Sequence, residues 1–196
     1  MHADTRLPRL LDLLARRSAR RGQFTLASGK QSTLYIDARL TTMSPDGLTL
    51  IGPLALDAIR GAGWDVQSVG GLTLGADPIS YAISYASALA TDGPGGAAPP
   101  PLRAFTVRKE AKGHGTGKLV EGTFEPGDRV AVIEDVITTG GSALKAITAL
   151  RAAGGTVAGV LALVDREEGG RETIEREAGV PVVALTRATE IVARMQ

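Results

Sequence analysis

Glu134 and Asp135 stand side by side after the apolar run Val130–Ile133, and Val136, Ile137, Thr138, Thr139, Gly140, Gly141 and Ser142 follow. This spacing predicts a buried strand over Arg129–Ile133 that ends in two acids. A short Thr/Gly turn follows, then a helix over Ser142–Ala153. Backbone N–H groups of a tight turn and a helix N-terminus make an anion site, and Gly140 and Gly141 let the backbone come close to a phosphate. Thr138, Thr139 and Ser142 add hydroxyl donors. Two adjacent carboxylates cannot also bind phosphate. They suit the hydroxyls of a sugar, with Mg²⁺ nearby, so a ribose phosphate satisfies both halves. For the acid pair alone a solvated strand end is the simpler reading, but the thirteen-residue string as a whole favours the site.

A second string, Val107–Lys118, gathers Arg108, Lys109, Lys112, Lys118 and His114 among Gly113, Gly115 and Gly117. Most isolated charge runs are solvated hairpins. Here the cations suit a polyanionic leaving group, and the glycines suit a segment that closes and reopens. A P-loop is excluded: Gly117–Lys118 is followed by Leu119, and Lys112 stands where the first glycine is required.

Arg108–Gly115 keeps every specified position of the pattern Arg-Lys-Glu-Ala-Lys-x-His-Gly. It thereby resembles the catalytic loop of the orotate phosphoribosyltransferases, and Val130–Ser142 resembles the phosphoribosyl-pyrophosphate signature of the wider type I phosphoribosyltransferases. Phe24–Ser32 with Tyr35–Arg39 is similar to that family's N-terminal base-side motif, and Val164–Glu167 to the place of its orotate-binding arginine. The matches run from about Phe24 to Glu168 in the family's order. The chain departs from some members at Ala27 and Leu74, where they carry lysine. Those departures touch pyrophosphate binding more than the reaction, and Lys30 is one candidate replacement.

The resemblance implies transfer of a phosphoribosyl group to orotate in UMP biosynthesis, through an oxocarbenium-like state. It gives Glu134 and Asp135 the ribose hydroxyls, and Val136, Ile137, Thr138, Thr139, Gly140, Gly141 and Ser142 the 5′-phosphate. Arg108, Lys109, Lys112 and His114 meet pyrophosphate, with Lys112, His114 and Asp135 as the catalytic set. An imidazole titrates near ~6.5, which makes His114 a candidate proton donor. Lys30, Tyr35, Thr138 and Arg166 face orotate, with Ser28 a further candidate. For Tyr35 a partly buried strand position is the simpler reading. For Arg166 a surface ion pair with Asp165, Glu167 or Glu168 competes evenly on the residues alone. Mg²⁺ travels with pyrophosphate, Asp135 being the one protein ligand considered. The family's loop reaches a neighbouring subunit's site, so a homodimer with shared loops is expected.

The elements that must position these groups alternate. Leu34–Arg39 reads as a strand and Pro45–Arg60 as a helix, with Ser44 as N-cap and Pro45 at its first position. Val66–Leu72 is a strand, Ala76–Ala90 a helix, Thr91–Pro101 a loop, Leu102–Val107 a strand and Lys109–Phe124 a long mobile loop or hairpin. Thr156–Val164 and Val180–Leu185 are the last strands. The expectation is an α/β fold of the type I phosphoribosyltransferase kind: a mostly parallel sheet flanked by helices, with a small N-terminal hood and a flexible catalytic loop. Residues 1–196 read as one domain, 1–40 as N-terminal helix and hood, and 107–122 as the catalytic loop.

Composition narrows the alternatives. The chain has 22 Lys+Arg against 21 Asp+Glu, a net charge of +1, so a general nucleic-acid partner is not expected. No cysteine and only two histidines exclude disulfides, thiol nucleophiles and Cys- or His-rich metal sites. Glycine is about 13% of the chain against a usual ~7%, concentrated in part in the two strings above. Arg6, Arg9, Arg16, Arg17, Arg20 and Arg21 could suggest a targeting segment. Asp4, Asp12 and the stripe Leu7, Leu10, Leu11 and Leu14 favour a docked amphipathic helix instead. No membrane segment is expected, and the cytoplasm is the default. Two rivals share the sugar-phosphate motif: a purine phosphoribosyltransferase, and a non-catalytic regulator that senses phosphoribosyl pyrophosphate. The Arg108–His114 string and Arg166 favour an acidic base. The intact loop disfavours the regulator.

Overall fold

The computed structural model describes residues 4–25, 31–91, 99–110 and 118–195. Helix α1 (Arg6–Leu13) buries Leu10, Leu11 and Leu13, then winds into a π-helical turn, Leu14–Ser18, that buries Leu14. The expected apolar stripe therefore faces inward. Strands β1 (Ala19–Thr25) and β2 (Gln31–Ile36) pair antiparallel as a separate two-stranded sheet, the hood.

The expected strand Leu34–Arg39 begins and ends three residues earlier. Asp37 stops it: its carboxylate accepts from the Arg39 N–H, and Arg39–Thr42 becomes a short helix, α2. Helix α3 (Pro45–Gly61) starts where expected, with Ser44 Oγ accepting from the Gly47 N–H at 3.2 Å. Next come β3 (Ser68–Leu72), α4 (Ala76–Thr91) and β4 (Arg103–Val107). Then follow β5 (Val120–Gly122), β6 (Arg129–Ile137), α5 (Gly141–Ala152) and β7 (Thr156–Asp165). The described chain closes with α6 (Gly170–Ala178), β8 (Val182–Arg187) and α7 (Ala188–Val192). No helix among the described residues is long and apolar enough to cross a membrane.

The main sheet has the order β5-β4-β3-β6-β7-β8. All its neighbours are parallel except β4 and β5, which form the hairpin alternative for the basic segment. Residues 92–98 of the expected Thr91–Pro101 loop and 111–117 of the basic segment lie outside the described residues.

Successive residues of a strand point to opposite faces, and both faces are covered. Ala131 and Ile133 of β6 pack with α1, α3 and α4. Val130 and Val132 pack with Ala146, Ile147 and Leu150 of α5 and Ile174 of α6. Gly159 of β7 lies under the indole of Trp64, and a methyl there would overlap the ring. Gly159→Ala should destabilise the protein by roughly 1–3 kcal/mol, the usual cost of overpacking. Urea denaturation measures it; an unchanged midpoint would mean that Trp64 can move aside.

Candidate functional site

The connections place ligands at one edge of the sheet. From β3 the chain turns one way to β4, and from β6 the other way to β7, with α4 and α5 on opposite faces. The crevice at the carboxyl ends of β3 and β6 is thus a topological switch point, where open α/β sheets bind ligands. A cleft of about 490 Å³ lies there.

One wall is the end of β6. The strand does not stop at Ile133 as expected, because the ladder with β7 continues through Glu134↔Ala162, Val136↔Val164 and Ile137↔Asp165. The acids interrupt the apolar pattern without interrupting the hydrogen bonds. Glu134 is buried although it borders the cleft. Burial pushes its carboxyl well above the usual carboxylate range, and the neighbouring Asp135 charge pushes the same way. Asp135 accepts from the Val136 N–H at 2.9 Å, and the Gly75 backbone packs so close to its carboxylate that a Cβ would overlap it.

Thr138, Thr139 and Ser142 line the floor, where α5 begins without a side-chain cap. Its first N–H groups are available to an anion, and the dipole favours negative charge there. Gly140 makes this turn possible. Its φ is +85°, and a Cβ would come 2.8 Å from the Gly170 carbonyl oxygen. Gly140 and Gly141 shape the turn but do not line the cleft. Ile137 points into the core; its carbonyl accepts from the Arg166 N–H at 2.9 Å.

Arg166 also lines the cleft. The competing reading is corrected in part: Arg166 does pair with Glu168, at 2.7 Å, but its side chain is only 6% exposed. Nη2 also donates to Ser32 Oγ and to the Leu34 carbonyl, both at 3.2 Å, which ties the hood to the sheet. Nε is buried and has no partner among the described residues.

Tyr35 sits on the rim, 40% exposed, with its ring 5.3 Å from that of Phe24. Lys109 reaches the cleft. Arg108 does not: its N–H extends the hairpin to the Leu119 carbonyl, and its guanidinium faces Glu121 at 3.8 Å. Lys30, Lys112 and His114, with Ala27 and Ser28, lie outside the described residues.

Thr73 and Gly75, which have no role in the sequence reading, also line the cleft, as do Asp37 and Arg39 of the base-side motif and Glu168. Arg39 forks onto Asp37 at 2.8 and 2.9 Å and holds that carboxyl below its ordinary range. The signal for this pair was Asp-x-Arg directly after a strand. Leu74, where some family members carry lysine, is exposed at the edge of the cleft. The cleft thus brings together the start of α5, the adjacent carboxyls of Glu134 and Asp135, and the buried guanidinium of Arg166.

No family model matches the chain. The chain is 46% identical to the orotate phosphoribosyltransferase of Aquifex aeolicus over 186 residues, 95% of this chain and 96% of that one. It is 43% identical to the orotate phosphoribosyltransferase of a Bradyrhizobium species, over 93% of this chain and 95% of that one. Its fold matches the crystal structure of Mycobacterium tuberculosis orotate phosphoribosyltransferase in complex with 5-phospho-α-D-ribosyl 1-diphosphate. The TM-score is 0.75 at 38% identity, over 95% of this chain and 99% of that one.

Proposed function

This chain belongs to the orotate phosphoribosyltransferases, and on that premise we propose that the cleft at the ends of β3, β6 and β7 is where its reaction runs. The enzyme joins orotate to the ribose of phosphoribosyl pyrophosphate, giving orotidine monophosphate and pyrophosphate for pyrimidine biosynthesis. The bond from the anomeric carbon to pyrophosphate oxygen breaks, and a bond from that carbon to a ring nitrogen of orotate forms. Positive charge gathers on the sugar and negative charge on the leaving group.

The observation that carries the assignment is the buried Nε of Arg166, without a partner among the described residues, in the same cleft as the N-terminus of α5. A sugar phosphate needs the first-turn N–H groups, and a carboxylate-bearing base needs the guanidinium. Thr138, Thr139 and Ser142 with the α5 N–H groups hold the 5′-phosphate. Asp135 holds ribose hydroxyls and faces the cationic sugar, and Glu134, whose burial favours its protonated form, is a hydroxyl partner beside it. Arg166 takes the orotate carboxylate, with Tyr35 and Lys30 as further orotate ligands. Lys109, Lys112 and His114 meet pyrophosphate, and Arg108 stabilises the hairpin that presents them. Residues 1–196 act as one domain, since Arg166 bonds the hood as well as the cleft.

Mg²⁺ fits the donor set as a substrate-borne ion. It takes hard oxygen ligands and usually keeps substrate phosphates and water among them. Asp135 offers one such oxygen, and no group of three or more acidic or imidazole ligands occurs among the described residues. Bound there, it would neutralise charge on the pyrophosphate.

A homodimer with loops shared between sites is part of the same reading. It is supported by an apolar groove of about 1050 Å³ between α3 and α4, where Tyr81, Tyr85 and Leu89 stand 54%, 68% and 56% exposed. A cysteine-free composition suits a reducing cytoplasm, the location we propose.

Two measurements test the reading. With Mg²⁺ and phosphoribosyl pyrophosphate, the protein should consume orotate and not adenine, hypoxanthine or uracil; purine turnover without orotate turnover would refute it. Asp135→Ala and Lys112→Ala subunits, each inactive alone, should regain activity on mixing, because one site of each hybrid dimer is intact. No recovery after verified subunit exchange rules out the shared loop.

A further inference from the structure

Asp77 lies in the first turn of α4, only 9% exposed, behind the loop that joins β3 to α4. Its Oδ2 accepts from Thr73 Oγ1 at 2.7 Å and its Oδ1 from Thr106 Oγ1 at 2.9 Å. Tyr81 Oη, one turn further along α4, is 3.2 Å from the same Thr106 hydroxyl. No cation pairs with Asp77 among the described residues. A carboxylate buried without a cation is costly, and here two hydroxyls and a helix N-terminus offset that cost.

Thr73 directly follows β3, and Thr106 lies near the end of the adjacent strand β4. Thr73 opens the stretch whose Gly75 backbone packs on the Asp135 carboxylate. Thr106 stands three residues before Lys109, which reaches the cleft from the other side. The Thr73 N–H also donates to the Val107 carbonyl at 2.8 Å, so the two segments touch directly above Asp77.

We propose that Asp77 is a positioning residue for the pyrophosphate side of the reaction. By clamping Thr73 and Thr106 it sets the Thr73–Gly75 backbone against Asp135 and aims Lys109 into the cleft. It touches no reacting atom. This inference rests on the reading of the cleft given above. Small displacements of groups that hold a substrate carry large costs: about 1 Å of misplacement is worth as much as a hundredfold.

Steady-state kinetics of Asp77→Ala, Asp77→Asn and Thr106→Val test it. Asp77→Ala should raise KM for phosphoribosyl pyrophosphate about tenfold or more and leave KM for orotate within about threefold. Asp77→Asn keeps the shape and an acceptor oxygen, and should restore the wild-type value to within about threefold. Thr106→Val removes one of the two hydroxyls at nearly constant volume and should shift the same constant in the same direction. It also keeps the test alive if Asp77→Ala fails to fold. A purely structural role would raise both KM values together or lower only the melting temperature, and either result overturns the proposal. Unchanged constants in folded Asp77→Ala or Thr106→Val overturn it as well. Wild-type protein in the same assay separates the two levels. Orotate turnover with unaltered variants removes the role of Asp77 alone, whereas no wild-type turnover removes the reading of the cleft and this proposal with it.

Discussion

Arg166→Leu should raise KM for orotate about a hundredfold, the factor that ~2.7 kcal/mol corresponds to. Hydrogen bonds to charged groups are worth ~1.5–3 kcal/mol each, and a guanidinium can offer a carboxylate two in parallel. Burial strengthens the effect, since Arg166 is shielded from water while its Nε still lacks a partner among the described residues. KM for phosphoribosyl pyrophosphate should stay within about threefold, because the proposed phosphate site rests on α5. Arg166→Lys should not rescue the loss; an ammonium cannot reproduce the planar fork. The variant also gives up the links to Ser32 and Leu34, so a loosened hood is the competing explanation. It predicts that both KM values rise together, and that outcome would remove the carboxylate-binding role.

The strings that carried the sequence argument were legible because their function is local. Thr138–Ser142 is a turn followed by a helix start, so contiguous residues make the proposed anion site. Ser44 and Pro45 announced α3 for the same reason. Groups assembled by the sheet were not legible. Gly75 and Asp77 matter because β3 lies beside β6 and β4, an order that no local pattern encodes. The acid pair misled on the strand's end, since polarity changed at Glu134 while pairing to β7 did not. Helix α6 went unread because it buries only Gly170, Ile174 and Ala178 in an otherwise polar stretch. Strand β1 carries two arginines and a glycine and owes its form to pairing with β2. Arg108 and Lys109 were grouped as cations of one loop, yet they part company at the end of β4. Neighbours on an extended chain face opposite sides, so Lys109 reaches the cleft and Arg108 reaches Glu121.

The same alternation bears on the acid pair, whose members should respond very differently to loss of charge. Asp135→Asn should lower the turnover number about 10²–10³-fold with little change in KM for phosphoribosyl pyrophosphate, as expected when a charge acts chiefly on the transition state. The substitution is nearly isosteric, and the amide oxygen can still accept from the Val136 N–H, so geometry is kept while charge is lost. Glu134→Gln should cost within about tenfold, because burial and the Asp135 charge favour the protonated carboxyl, which an amide resembles. The raised pKa of Glu134 has a definite sign in stability too. The folded protein binds that proton more tightly than the unfolded chain does. The group is therefore neutral and without penalty below the usual carboxylate range, and it costs stability as pH rises from there toward its folded value. In substrate-free, metal-free buffer, the melting temperature of Glu134→Gln relative to wild type should climb from about pH 4.5 upward. Equal losses of turnover in the two variants, or a flat difference in melting temperature across that range, would mean that both carboxylates are charged at work. Asp135 would then not be the single anion facing the sugar.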